Sequence, residues 1–268
     1  MFIIISYISI RFSYTPIGWY NIKIIGYPYM SDKTTLIVPS NIEDIHLYQY
    51  QKYLKIVDGV DKEAPEAEDF LAFKILEIFC DVRYDEIRRL PAGVYEYAVG
   101  KVLECLKEST PLEKTFWLKG TDGVEIEFGF IPSLDDMTLG EYVDLDGVIG
   151  DWDNMHKALA IMYRPIIEKK KDMYLIEEYK DIERYADLMK YAPLNVALGA
   201  MLFFYRLGMK LSKHTMSSLL SRTKEEDRTE LEKRLLAQSG VGINQFMQSL
   251  EETYSSLTPS LSKDFTTV

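Results

Sequence analysis

The chain has 268 residues and a formal charge of −11, from 42 acidic against 31 basic side chains. Apolar residues make up 47% of it, which excludes a wholly disordered chain and leaves material for one large domain or two small ones with a real core. The acidic excess argues against a free duplex-DNA binder, and two cysteines with three histidines are too few for a disulfide scaffold or a zinc cluster of familiar spacing.

The first 29 residues differ in composition from the rest. They hold no Asp or Glu, and their only basic residues are Arg11 and Lys23. The apolar run Phe2 to Ile10 is too short to span a bilayer, and it lacks the basic start and small-residue cleavage site of a secretory signal. Three readings stay open: an upstream extension with Met30 as the true start, an interfacial anchor, or an added β-strand. The abrupt change at Met30-Ser31-Asp32-Lys33 favours the extension, so residues 1–29 are expected outside the fold.

Thr35 to Val38 is β-branched and stops at Pro39, which predicts a short strand. Ser40 stands three residues before Glu43, a capping-box spacing, ahead of a helix with Leu47, Tyr50, Leu54 and Val57 on one face. Asp58-Gly59 ends that helix, and the acidic stretch Asp61 to Asp69 reads as a solvated link. A second helix carries Leu71, Ile75, Ile78 and Val82. After Pro91-Ala92-Gly93 a third aligns Val94, Ala98, Val102 and Cys105.

The period then changes. Alternation over Thr115 to Leu118 and Val124 to Phe128, around Asp122-Gly123, predicts a β-hairpin. Thr138 and Glu141 form another capping box, before a helix through Tyr142 and Leu145. Asn154 starts a helix over Met155 to Tyr163, limited by Pro165, and Lys169-Lys170-Lys171 reads as a loop. A short helix carries Ile182, Tyr185 and Met189. Tyr191 to Tyr205 has one cation-free, carboxylate-free run, which at this length reads as a buried central helix rather than a membrane span. Helices around Leu231 to Leu236 and Ile243 to Tyr254 and a mobile tail over 255–268 complete the reading. The expected class is mainly α, α+β at most: one helical domain over 30–254 with a hairpin insertion near 115–130 and room for a subdivision near 110–132.

Phosphate-binding glycine loops, a nucleophile elbow and a zinc-protease helix motif are absent. The densest polar cluster is Asp144, Asp146, Asp151 and Asp153, with His156 nearby. Carboxylates at that density can hold Mg²⁺ or Ca²⁺, but the spacing is not that of an EF-hand. Val148 stands where a third ligand belongs, and no Glu closes the loop. Helix capping explains the cluster better. Cys80 and Cys105 lie in apolar helical segments and read as buried, inert thiols. His46 and His214 read as cap or surface residues. The chain is therefore expected to carry no catalytic, cofactor-binding or metal-ligating residues. Abundant tyrosine leans toward protein interfaces, and Phe203, Phe204 and Tyr205 at the far end of the apolar helix are the candidate partner-binding residues.

Two segments carry a resemblance: Glu127 to Asp146, EFGFIPSLDDMTLGEYVDLD, and Met155 to Ile166, MHKALAIMYRPI. Together they resemble small acidic proteins from the structural gene blocks of tailed bacteriophages, especially crAss-like phages of gut bacteria, including tail-assembly chaperones and head–tail accessory proteins. The resemblance covers Met30 to about Leu211. It implies a non-enzymatic morphogenesis role: a virion accessory protein or assembly chaperone that binds tail or connector proteins. The expected setting is the host cytoplasm during assembly, or the virion if the protein is retained, with no nucleic-acid contact, cofactor or membrane span. Two rival readings remain. One is a metal-assisted enzyme in which the Asp144 to Asp153 carboxylates converge with His156. The other is an acidic DNA mimic or regulator.

Overall fold

The structure is a computed structural model, and it describes residues 9–14, 20–25, 35–61, 63–108, 110–120, 122–133, 137–171, 173–223 and 248. The chain divides into two compact units, Met1–Ala197 and Leu198–Val268. The boundary found is at 197/198, whereas the sequence reading allowed for one near 110–132. The helices expected around Leu231 to Leu236 and Ile243 to Tyr254 and the tail over 255–268 lie outside the described residues, apart from helical Gln248.

The first unit opens with a three-stranded antiparallel sheet: β1 (Ser9–Tyr14), β2 (Tyr20–Ile25) and β3 (Thr35–Val38), in that order. β2 pairs with β3 from Tyr20↔Val38 to Lys23↔Thr35. The leading segment, expected outside the fold, thus supplies two strands that ladder onto it. The physical reason is the edge: β3 offers unpaired backbone groups, and an Ile-rich extended run is a ready partner for them. Leu36 and Val38 are fully buried.

Asn41, not Ser40, caps the turn that follows. Its Oδ1 accepts from the N–H groups of Glu43 and Asp44, and the Asp44 carboxylate accepts from the Ser40 hydroxyl at 2.7 Å. The sequence offered two cap residues in a row, and the Asn41 amide closed a 3-10 turn over Ile42–Asp44 before α1 (Leu47–Gly59) began. α1 packs on α2 (Ala67–Phe79). α2 packs on the short α3 (Tyr84–Ile87) and on α4 (Ala92–Leu106), which also covers β3. The expected stripe of α4 is the buried one: Val94, Ala98, Val102 and Cys105 are all core residues. A fully buried valine such as Val102 contributes roughly 1.5–3 kcal/mol of transfer free energy, and the Ala98 methyl contributes less. α2 ends at Cys80, and Asp81 turns the chain at φ +51°.

A four-stranded antiparallel sheet follows, in the order β4 (Thr115–Lys119), β5 (Glu125–Phe130), β6 (Tyr163–Lys170) and β7 (Met173–Ile176). The β4–β5 hairpin is the one the alternation predicts, with Gly123 at φ +84° in its turn. The hairpin is not an isolated insertion, because β6 and β7 extend it. Pro165 masked them in the sequence. It ends the helical pattern, but it sits inside β6 opposite Phe128, and its carbonyl accepts from Glu177 N–H at 2.9 Å.

Between β5 and β6 the chain inserts α5 (Leu139–Asp146), a 3-10 turn over Trp152–Asn154, and α6 (Met155–Met162). α6 is the most buried element, with every residue from Ala158 to Met162 in the core, and it packs on α7 (Glu183–Met189). Under the sheet the Tyr163 ring meets Phe116 and Phe130 edge-on at centroid distances of 5.1 Å each, and its hydroxyl donates to the Glu113 carbonyl at 2.6 Å. The fold is mainly helical with a small antiparallel sheet, the class expected.

α8 runs from Leu194 to Thr223 and crosses the unit boundary. Its start is tied into the first unit: Leu194 N–H donates to the Ile45 carbonyl at 2.8 Å, and Leu47 N–H donates to the Ala192 carbonyl at 2.9 Å.

Candidate functional site

The carboxylate cluster disperses. Asp144, on α5, accepts from the Tyr179 hydroxyl at 2.5 Å. Asp151 caps the 3-10 turn, accepting from Asp153 N–H at 2.9 Å and from Asn154 Nδ2 at 2.6 Å. Asp153 pairs with Lys55 at 3.3 Å on open surface, and Asp146 is exposed at the end of α5. His156 Nδ1 faces Gln51 Nε2 at 3.3 Å, and burial, with Lys190 and Lys157 nearby, lowers its pKa below the ordinary value. Among the described residues no group of three or more His, Cys, Asp or Glu side chains could hold a metal ion.

Both cysteines are free and buried. Burial pushes the Cys80 thiol up to about 12 and the Cys105 thiol up to about 11, so neither is a thiolate at neutral pH. His46 caps the start of α1, with Nδ1 at 2.9 Å from the Tyr191 carbonyl, and His214 is exposed on α8.

α5 is two-faced. Thr138 caps it: Glu141 N–H donates to Thr138 Oγ1 at 3.2 Å, and Thr138 N–H donates to the Glu141 carboxylate at 2.6 Å. On the same inward face Leu145 is buried, and Glu141 forms a buried ion pair with Arg164 of β6. The Tyr179 ring lies 5.8 Å from the Arg164 guanidinium carbon. One turn round the helix the polarity inverts. Leu139, Tyr142 and Val143, at i, i+3 and i+4, are 79%, 59% and 59% exposed. The capping box located this helix in the sequence. The outward stripe was missed because an apolar residue at helical spacing is read by default as a core residue, and the buried face here is held by a charge instead.

Two further surfaces are opposite in charge. A cavity of about 450 Å³ opens along α2 and α3, where Glu66, Asp69 and Glu77 border Phe70, Phe73 and Tyr84. Lys74 is the cation in its lining, already paired with Glu77 at 2.5 Å. The other surface is the β6–β7 hairpin. Lys169 and Lys170 are the last residues of β6, and Lys171 turns the chain at φ +55°, so the tri-lysine run is a hairpin tip rather than a loop. Lys169 pairs with Glu127. Lys170 lies opposite Met173 and Glu168 opposite Leu175, and this face of the hairpin is exposed throughout.

Phe203, Phe204 and Tyr205 lie on α8 in the second unit, all half-buried, with the two Phe rings edge-to-face at 5.4 Å. Of the wider apolar run, Ala200 and Met201 are fully buried and Leu198 is half-buried. Residues 194–218 of this helix are long and apolar enough to cross a membrane by length and composition, a test that core helices of soluble proteins also pass. Among the described residues there is no clear membrane span. Comparison of the chain with family models, characterised proteins and solved structures finds no match.

Proposed function

We propose that this is a non-enzymatic protein that docks on other proteins during assembly of a tailed-phage particle, binding tail or connector components. The observation that carries the docking role is the outward stripe of α5. Leu139, Tyr142 and Val143 stay exposed to water on a helix whose opposite face is fixed by the Glu141–Arg164 pair and by Leu145, so the stripe contributes nothing to the protein's own core. A helix held on one side and apolar on the other suits burial in a partner's groove, where removal of apolar area at roughly 25 cal/mol per Å² drives association. The resemblance over Glu127 to Asp146, which includes α5, supplies the phage setting. Phe203, Phe204 and Tyr205 belong to the same proposal as a second contact. The acidic surface keeps such a protein soluble while apolar side chains stay exposed.

Leu139→Ser, Tyr142→Ser and Val143→Ser, combined in the full chain, test the role by affinity capture from infected cells with quantitative mass spectrometry. The variant keeps the wild-type melt and loses phage structural proteins from the captured set. Retention of the same set with an unchanged melt removes α5 as the docking helix.

A further inference from the structure

We infer that copies of this chain associate head to tail, the β6–β7 hairpin of one copy entering the acidic groove along α2 and α3 of the next. This goes beyond the docking role of α5, which uses a different surface and a different partner.

The groove side combines charge with aromatic surface. Glu66 and Asp69 stand on its rim, and Phe70 and Tyr84 are both exposed. Lys74 is held by Glu77, and among the described residues Glu66 and Asp69 make no ion pair. The hairpin side is the complement. Among the described residues Lys170 and Lys171 make no ion pair, and Met173 and Leu175 lie exposed on the Lys170 face. A lysine beside a methionine matches a carboxylate beside a phenylalanine in both charge and polarity; the Phe70 and Tyr84 rings already have Lys74 at 5.5 Å and Arg88 at 5.8 Å over them, so the charge match rests on the carboxylates and the rings contribute apolar surface. A cavity of about 450 Å³ admits side chains of a hairpin tip rather than a folded domain.

The same chain carries both halves, and in the single chain both are exposed. The occupant is therefore a second copy. The overall charge of −11 makes copies repel at a distance, so approach depends on presenting the basic hairpin tip to the acidic groove. The contact is heterologous: each copy that donates a hairpin still has an open groove. It therefore propagates into open chains or closes into a ring rather than stopping at a symmetric pair.

Sedimentation velocity of the full chain across a concentration series, at about 0.05 M and about 0.5 M salt, tests this directly. The wild type sediments as concentration-dependent oligomers that weaken at the higher salt. Lys170→Glu/Lys171→Glu and, separately, Glu66→Lys/Asp69→Lys are monomers with unchanged melts, because each variant opposes like charges. Mixing the two variants restores association, since the acidic hairpin of one meets the basic groove of the other. Met173→Ser, which leaves every charge in place, weakens association at least several-fold. A wild type that stays monomeric at all concentrations overturns the inference, as do reversed variants that associate like the wild type or a mixture that fails to associate.

Discussion

Arg164 of β6 and Glu141 of α5 form a buried ion pair, 8% and 3% exposed respectively, that joins the helix to the sheet. Glu141 does two jobs, because its carboxylate also accepts from Thr138 N–H at the start of α5. Burial alone would raise its pKa. The hydrogen bonds from Thr138 and Arg164 outweigh that and hold the carboxyl below its ordinary value. Glu141→Gln keeps the shape and leaves a buried guanidinium uncompensated, at a cost of about 3–5 kcal/mol. Arg164→Met costs less, because the carboxylate keeps its backbone donor, and the double variant costs less than the sum. Chemical denaturation of the single and double variants checks all three.

The same pair sets a pH dependence. A carboxyl with a depressed folded pKa contributes stability that is fully present above its unfolded value, about 4.3, and is lost as pH falls through the folded value. The wild type therefore loses stability on acidification below about 4.3, and Glu141→Gln loses less of it over that window. Unfolding free energies measured from neutral pH down to the acid limb compare the two slopes. Parallel slopes contradict the assignment to Glu141.

Gly129 of β5 is required by close approach. A Cβ there would meet Tyr174 Cε2 at 2.5 Å, Tyr174 Cδ2 at 2.9 Å and Ile166 Cγ1 at 3.0 Å. The ring cannot swing away freely, because its hydroxyl donates to the Phe130 carbonyl at 2.9 Å, with the Lys114 carbonyl, at 3.2 Å, as the alternative acceptor for the same proton. Gly129→Ala is expected to cost about 1–3 kcal/mol by overpacking. Tyr174→Ala in that background recovers part of the loss, because the two substitutions share one space. Thermal melts of the three variants test this, and additive effects contradict it.

The leading strands make a separate prediction. β2 pairs with β3, and Leu36 and Val38 of β3 are core residues. A chain starting at Met30 leaves one edge of β3 without its ladder, so it melts lower than the full chain. An unchanged melt returns residues 1–29 to a place outside the fold.

Legibility followed the strength of the local signal. The stripe of α4 was readable because four small or branched apolar residues recur at helical spacing, and all four are buried. The β4–β5 hairpin was readable because alternation and an Asp-Gly turn agree. β6 and β7 were not, since Pro165 breaks a helical pattern at the point where a strand begins, and lysines fill the hairpin tip. The cap at Asn41 was missed because Ser40 offers the same chemistry one residue earlier. The carboxylates of the Asp144 to Asp153 segment were visible as residues, but not their separate partners, which come from Tyr179 and Lys55, distant in sequence. The α5 stripe needed tertiary information: only the Glu141–Arg164 pair reveals which face of the helix is turned inward.

Docking through α5 is tested most directly by a photo-crosslinking amino acid in place of Tyr142, which is 59% exposed at the centre of the stripe. The control carries the same group at Glu104, an exposed position on α4. After illumination of infected cells, adducts are purified under denaturing conditions and identified by mass spectrometry. A discrete adduct to a tail or connector protein is expected from position 142 and none from position 104. No adduct at 142, or the same diffuse set from both positions, contradicts docking through α5.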